Sequence, residues 1–391
     1  MIKEPKYTNL LDVNEKNRNL NKILESGLRS LDLTKKQHTK AVSEYKSISE
    51  HLASLKWFCE KYRPDIFPQG SMDLGTCVRP IGSDEFDLDI IVLMHCLLGA
   101  KLTELMDDLE FAMKSFDGRH SGIKRLKCCL RLDYPGDFHL DLVPARPDAC
   151  DGNPEAMLIS NHDGELGTKT DPKAFSEYFE DAKSKVLVSA NFSEGWKLAN
   201  SARATIAPAP LASTPENKTT LQLVIQILKR HRDLFFEGRD DAPSSSAISA
   251  LATDCYQGHQ DLYEAVEYAI NHMKDFVRSV APRVPNARYL VEDYADRWAS
   301  DSTKEKAFWE WYVKVQEDFD KLGVFKIANA SETLHPILGE KAVVSALNDF
   351  DAEGVTNLRN DNKLGATAGL GLLSSTLSGT KAAQPTSFFG N

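Results

Sequence analysis

Apolar residues along this chain fall into two rhythms. Ala41, Val42, Tyr45, Ile48, Leu52, Leu55 and Phe58 recur every three to four positions behind Thr34-Lys35-Lys36-Gln37, which has the form of a capping box. That spacing predicts an amphipathic helix, a spine within a helical first sixty residues, ended by the two prolines between Tyr62 and Pro68. From Phe86 to Val92 the order is Phe-Asp-Leu-Asp-Ile-Ile-Val, apolar and β-branched, and this predicts a strand. A covering helix is expected over Thr103–Phe116, one strand over Ile123–Leu132, a turn at Tyr134–Asp137 and a returning strand over Phe138–Val143. Ala145–Asp171, with His162-Asp163-Gly164-Glu165 at its middle, is long, polar and turn-rich. Helical spacing resumes over Pro172–Val188 and Trp196–Arg203, and prolines 208, 210 and 215 mark a lobe boundary within Pro208–Asn217.

Beyond the boundary the pattern is helical. Leu221, Val224, Ile225 and Leu228 form a stripe within Thr219–Phe236, and the Trp-rich stretch Ala307–Leu322 and Lys341–Phe350 predict two more helices. From Gly365 to Asn391 the chain is Gly, Ser, Thr, Ala and Leu with Lys381 its sole charge, a composition that predicts a flexible tail. The expected division is 1–212, a sheet-bearing lobe with its helical spine; 213–362, a helical lobe; and 363–391, the tail.

The strand at Phe86 carries the chemistry. Alternation puts Asp87 and Asp89 on one face, roughly 7 Å apart, while Leu88 and Ile90 point into a core. Like charges held together beside a core repel unless cations lie between them, and hard divalent ions take oxygen ligands of this kind. Gln69-Gly70-Ser71 stands where a loop turns into a short helix, with a glycine for close backbone approach and N–H groups and a hydroxyl for a phosphate. Asp141 is the single acid of the returning strand and supplies a third carboxylate. His139 shares its face, as either a packing residue or one that orders water. Lys124, Arg125, Lys127 and Arg131 serve either a solvated strand edge or phosphates. Lys229-Arg230-His231-Arg232 gathers cations at a helix C-terminus, where they complement the macrodipole. Ser244 and Ser245 precede another helix and suit its N-cap.

Composition narrows the partners. At 391 residues and 42% hydrophobic content the chain can bury two cores, and a net charge of −10 argues against an extended nucleic-acid surface. Seven scattered cysteines give no disulfide framework, and neither a signal peptide nor a membrane-spanning run is evident, so a cytoplasmic protein is expected.

The order Gly70-Ser71, Asp87-x-Asp89, then Asp141 resembles the nucleotidyltransferase superfamily of DNA polymerase β. Within it, the chain is similar to the bacterial cGAS/DncV-like nucleotidyltransferases of CBASS anti-phage systems. The likeness spans roughly Lys56 to Trp298 and extends to the Val284–Trp298 run, Pro285-Asn286 followed by Glu292-Asp293-Tyr294-Ala295-Asp296-Arg297-Trp298, whose expected role is architectural. The resemblance implies an α+β fold of two lobes, a mixed-sheet catalytic lobe and a helical lobe closing over the nucleotide. It implies two Mg²⁺ ions, with Mn²⁺ as a substitute, on Asp87, Asp89 and Asp141. Triphosphate contacts are then expected from Gln69, Gly70, Ser71, Lys229, and Ser244 or Ser245. The implied activity joins ATP with a second NTP, GTP in the first instance, into a cyclic trinucleotide (cyclic AMP-AMP-GMP-like), the clade the chain most resembles, or a cyclic dinucleotide, with release of pyrophosphate. The implied partners are an effector switched on by that product and a ubiquitin-transfer-like enzyme acting on the tail. Two alternatives stay open: a nucleotidyltransferase acting on RNA or protein, and a non-catalytic nucleotide-binding scaffold.

Overall fold

The computed structural model describes residues 10–82, 85–96, 100–118, 120–148, 150–160, 167–185, 205–207 and 217–360, with three short strands at 364–366, 373–375 and 381–382. The expected helix at Trp196–Arg203, the His162–Glu165 stretch, Pro208, Pro210 and Pro215, and the last residues of the tail lie outside the described residues.

The N-terminal half opens with α1 (Leu10–Leu31), α2 (Lys35–Ser54) and α3 (Lys56–Tyr62). Thr34 closes both halves of its capping box with Gln37, and α3 ends at Arg63, in the left-handed region just before Pro64. β1 (Asp65–Gln69), the single turn α4 (Gly70–Asp73), β2 (Phe86–Leu93) and α5 (Leu102–Met113) follow, then β3 (Ile123–Arg125), β4 (Leu130–Tyr134), β5 (Phe138–Pro147), β6 (Met157–Ser160), β7 (Gly167–Thr170), α6 (Pro172–Ser184) and β8 (Thr205–Ile206). These strands make one mixed sheet in the order β3-β4-β5-β2-β1-β8, with β6 continuing along β5 and β7 along β6. β2 and β5 run parallel at its centre, and β1 returns antiparallel to β2.

Within the sheet-bearing part, two stretches differ from the sequence-based expectation. Ile123–Leu132 is a tight hairpin rather than one strand: Leu126 donates its N–H to the Cys129 carbonyl, and Lys124 lies opposite Arg131. The polar stretch Ala145–Asp171 holds the β6–β7 hairpin, whose strands alternate too briefly to stand out.

Burial follows the alternation in β2. Phe86, Leu88, Ile90 and Val92 join Leu140 and Leu142 of β5 against Tyr45, Ile48 and Leu52 of α2 and Leu105 and Leu109 of α5. The opposite face carries Asp87 and Asp89, then Ile91 and Leu93 in a smaller cluster with Phe67, Val143 and Met157.

The second half is helical: α7 (Thr220–Phe235), α8 (Ser245–Cys255), α9 (Leu262–His272), the short hairpin of β9 (Pro285–Asn286) and β10 (Tyr289–Asp293), α10 (Ser302–Leu322), α11 (Ala330–Leu338) and α12 (Glu340–Asn360). The central α7 buries nearly its whole circumference, and Trp311 and Phe308 of α10 fill the core beside it. α1, first in the chain, contributes Leu20, Ile23, Leu24 and Leu28 to this helical core rather than to the sheet. It lies along α12, with Ser26 donating to Asp349 at 2.6 Å and Lys22 pairing with Glu353 at 2.6 Å. Within the glycine-rich tail, β11 (Leu364–Ala366), β12 (Leu373–Ser375) and β13 (Lys381–Ala382) pair antiparallel. No described helix is long and apolar enough to cross a membrane.

Candidate active site

Strand register assembles the site. Gln69 of β1 lies opposite Asp89 of β2, Asp89 beside Asp141 of β5, Asp141 opposite Arg131 of β4, and Arg131 opposite Lys124 of β3. One row across the sheet is therefore amide, carboxylate, carboxylate, guanidinium and ammonium, all on one face because paired residues point the same way. The adjacent row holds Asp87, His139 and Asp133.

Asp89 is the electrostatically strained member. Burial, then the charges of Asp141 and Asp87, push its carboxyl up to about 7, against the pull of Arg131. Arg131 grips Asp141 with both arms, Nε to Oδ1 at 2.8 Å and Nη2 to Oδ2 at 2.7 Å, and Nη2 also reaches Asp87 Oδ1 at 3.2 Å. These bonds, led by those to Asp141, hold the guanidinium above its ordinary pKa. Among the described residues no three His, Cys, Asp or Glu side chains already converge on an ion position. The donor set nevertheless fits one: the three aspartates are hard oxygen donors set side by side, and one guanidinium spans only two of them.

Gly70 abuts this cluster. Its φ is +65°, and a Cβ there would stand 3.1 Å from Asp89 Oδ2, so the position favours glycine on both counts. Next to it, Ser71 Oγ accepts from Lys229 Nζ at 2.8 Å, which leaves the hydroxyl proton free to donate. Lys229 reaches across from α7 and is held from behind by Thr76 Oγ1 at 3.0 Å; burial lowers its pKa to about 8. Ser71, Asp87, Lys229, Arg232 and Ser245 line a cavity of about 430 Å³ between the sheet and α7.

The four cations expected at the end of α7 divide by helix geometry. Lys229 and Arg232, three apart, share the cavity face. Arg230 donates to the carbonyls of Leu338 and Arg79, and His231 Nδ1 accepts from the Trp311 indole at 3.0 Å within the core. Of the two serines, Ser245 faces the cavity. Ser244 caps α8, accepting from Ala247 N at 3.1 Å and donating to Tyr294 O at 2.9 Å. His139 lies 2.8 Å from Glu85 and 3.5 Å from Asp87, in the wall of the site.

Thr76, the cavity-facing position of Arg232 and the bridging role of Arg131 are additions to what the sequence singled out. The Arg131 contact was derivable, because a hairpin turning at Tyr134–Asp137 sets residue 131 opposite 141. In the Pro285–Trp298 run, Glu292 accepts from Thr170 Oγ1 at 2.5 Å, Asn286 Nδ2 at 2.9 Å and Asp171 N at 3.2 Å, tying β10 to the start of α6. Asp293 accepts backbone N–H groups of Arg283, Val284 and Ala295, and Trp298 packs on Phe308. These contacts are architectural.

Comparison with known proteins agrees with the geometry. Residues 64–144 match the family described as "Cyclic GMP-AMP synthase DncV-like, nucleotidyltransferase domain". A c-di-GMP synthase of Roseivirga ehrenbergii is 24% identical over 370 residues, covering 92% of this chain and 94% of that protein. The cyclic dinucleotide synthase CdnG of Bradyrhizobium diazoefficiens is 24% identical over 342 residues, 80% of this chain and 79% of that one. The solved structure of that CdnG in complex with GTP superposes with a TM-score of 0.66 at 20% identity, over 85% of this chain and 99% of the other, a likeness of fold.

Proposed function

We infer that this chain, similar to the cGAS/DncV-like nucleotidyltransferases, is a metal-dependent cyclic oligonucleotide synthase whose site is the row of Asp89 and Asp141 beside Gly70-Ser71. The observation that carries the inference is the juxtaposition of three parts: the neighbouring carboxylates of β2 and β5, the Gly-Ser turn of β1–α4 against Asp89, and a buried lysine from α7 bound to Ser71 at the cavity that Asp87 also lines.

Asp87, Asp89 and Asp141 would hold divalent cations, Mg²⁺ in the first instance and two in number, which would supply acidification of an attacking hydroxyl and charge neutralisation for the departing pyrophosphate. The other steps belong to the chain itself. Ser71 donates its free hydroxyl proton to the triphosphate, and Lys229, charged below about pH 8, pairs with the same phosphates. Gly70, without a Cβ, lets the nucleotide approach Asp89. Arg232, on the same face of α7 as Lys229, and Ser245 at the start of α8 meet the phosphates from the helical side of the cavity. A ribose hydroxyl of one nucleotide attacks the α-phosphorus of the second; the new P–O bond forms as the α–β bridging bond breaks and pyrophosphate leaves. Repeating the step within the linear product, whose own triphosphate is still attached, closes a ring.

Both a cyclic trinucleotide and a cyclic dinucleotide follow from this chemistry. The relatives named for cyclic dinucleotides, one of them for c-di-GMP, favour a two-nucleotide ring containing guanine, so GTP is the first substrate to test, alone and with ATP. The product would act on an effector that recognises the ring, in antiviral defence. The sheet lobe and the helical lobe then work as the two walls of one pocket.

The test incubates the purified chain with Mg²⁺ or Mn²⁺ and NTPs singly and in pairs, treats with phosphatase, and analyses the products by mass spectrometry. A phosphatase-resistant species with the mass of a cyclic dinucleotide is expected. Binding of NTPs without turnover under any combination, or only phosphatase-sensitive linear products, would refute the synthase reading.

A further inference from the structure

We propose that Arg131 is a positioning residue that acts as the resident counter-ion of the carboxylate cluster: it bridges Asp141 and Asp87 in the nucleotide-free protein and holds divalent cations out until a nucleoside triphosphate arrives. The proposal rests on the reading of the three aspartates as metal ligands.

The bridge follows from the topology. Arg131 and Asp141 are cross-strand partners of the β4–β5 hairpin, so their side chains rise from the same face at the shortest separation a sheet allows. The guanidinium is a planar fork that matches a carboxylate, and it stays charged at any pH the protein survives. It takes both oxygens of Asp141, at 2.8 and 2.7 Å, and extends the same Nη2 to Asp87 at 3.2 Å. One cation thus spans two of the three carboxylates. Neighbouring ammonium groups are engaged elsewhere: Lys124 with Asp133 at 2.6 Å, and Lys229 with Ser71 and Thr76.

A divalent cation needs these oxygens at roughly 2.0–2.1 Å in the case of Mg²⁺. A guanidinium already hydrogen-bonded to both oxygens of Asp141 leaves the cation to share them with a positive group a few ångströms away, and that proximity repels in a partly buried site. Arg131 must therefore tilt off Asp141 or Asp87 for the ion to settle. A triphosphate resolves the conflict from both sides, since it brings oxygen ligands for the cation and an anionic acceptor to which the guanidinium can turn. Metal and nucleotide binding are then coupled, each tightening the other by the same factor. The free enzyme keeps Asp141 and Asp87 paired and ordered without committing them to an idle ion.

The experiment measures Mn²⁺ affinity by electron paramagnetic resonance on the full chain stripped with chelator, with and without an α,β-methylene analogue of GTP that cannot release pyrophosphate. In the wild-type protein the nucleotide should tighten Mn²⁺ binding by about tenfold or more. Arg131→Gln and Arg131→Met should each bind Mn²⁺ at least about tenfold more tightly without nucleotide, and the gain on adding nucleotide should shrink correspondingly. Lys124→Gln removes the same unit of charge from the same row and should leave Mn²⁺ affinity unchanged within about twofold. If both Arg131 variants bind Mn²⁺ no more tightly than wild type, or if Lys124→Gln tightens binding equally, the counter-ion role is overturned. If Asp89→Asn leaves Mn²⁺ affinity intact in the presence of nucleotide, the metal-ligand reading itself has failed, a separate result from the first.

Discussion

Replacing Asp89 by asparagine should do two opposite things: abolish turnover and make the metal-free protein more stable. The wild-type carboxyl is raised to about 7 by burial and by its two carboxylate neighbours, so the folded protein resists ionising a group that ionises freely near ~3.9 when unfolded. Because the folded state holds this proton more tightly, the penalty grows as pH climbs from about 4 to about 7 and is complete above that. At ~1.4 kcal/mol per pH unit the difference reaches ~4 kcal/mol at pH 8, ~1–2 at pH 5 and under ~1 at pH 4. Asparagine has nearly the volume of aspartic acid and never ionises, so it removes the penalty. Denaturant titration in chelator should show the variant gaining ~2–4 kcal/mol at pH 8 and almost nothing at pH 4. Mn²⁺ should stabilise the wild type at pH 8 and the variant much less. A variant less stable than wild type in chelator at pH 8, or an equal gain at both pH values, would refute the account of Asp89 as a charge awaiting a cation.

Other substitutions probe the remaining parts. Gly70→Ala puts a methyl 3.1 Å from Asp89 Oδ2 at φ +65°; a left-handed alanine costs ~1–2 kcal/mol, and steady-state kinetics should show at least about a tenfold loss of activity. Lys229→Met should weaken binding of the GTP analogue by ~10–100-fold, the worth of a hydrogen bond to a charged group, in calorimetry without metal. In the wild type that affinity should hold below about pH 8, where Lys229 is charged, and decline above it, whereas the methionine variant should be flat across the same range. Glu292→Gln turns an N–H toward the donors Thr170, Asn286 and Asp171; it should cost ~1–3 kcal/mol of stability with activity, assayed well below melting, within twofold of wild type.

Much of this was legible from local pattern. Alternation alone puts Asp87 and Asp89 opposite Leu88 and Ile90, and burial of β2 follows it. The Thr34 capping box forms as spelled. What escaped depends on partners far away in the chain or on an offset of a single residue. Ser244 and Ser245 look alike in sequence, yet a single residue at the helix start separates a cap bound to Ala247 N and Tyr294 O from a side chain facing the cavity. β1 contains Pro68, which reads as a breaker; beyond Ile66 it has no described partner on its outer side, and an edge strand tolerates proline. The hairpin within Ile123–Leu132 hides because Lys127, Cys128 and Cys129 carry no strong turn signal.

The pairing of α1 with α12 bears on how the protein is made. Leu20, Ile23, Leu24 and Leu28 of α1 pack chiefly with helices that follow the sheet, α12 last among them. A ribosome adding ~5–20 residues per second takes roughly 15–60 s to deliver the ~300 residues between α1 and α12. During that interval the sheet and α2 can fold on the nascent chain, while the oily stripe of α1 stays uncovered, open to chaperones or to neighbouring polysomes. The earliest of the described helices to be synthesised is among the last to be housed, and a shortened α1 should injure the helical half of the protein while sparing the sheet that carries its aspartates.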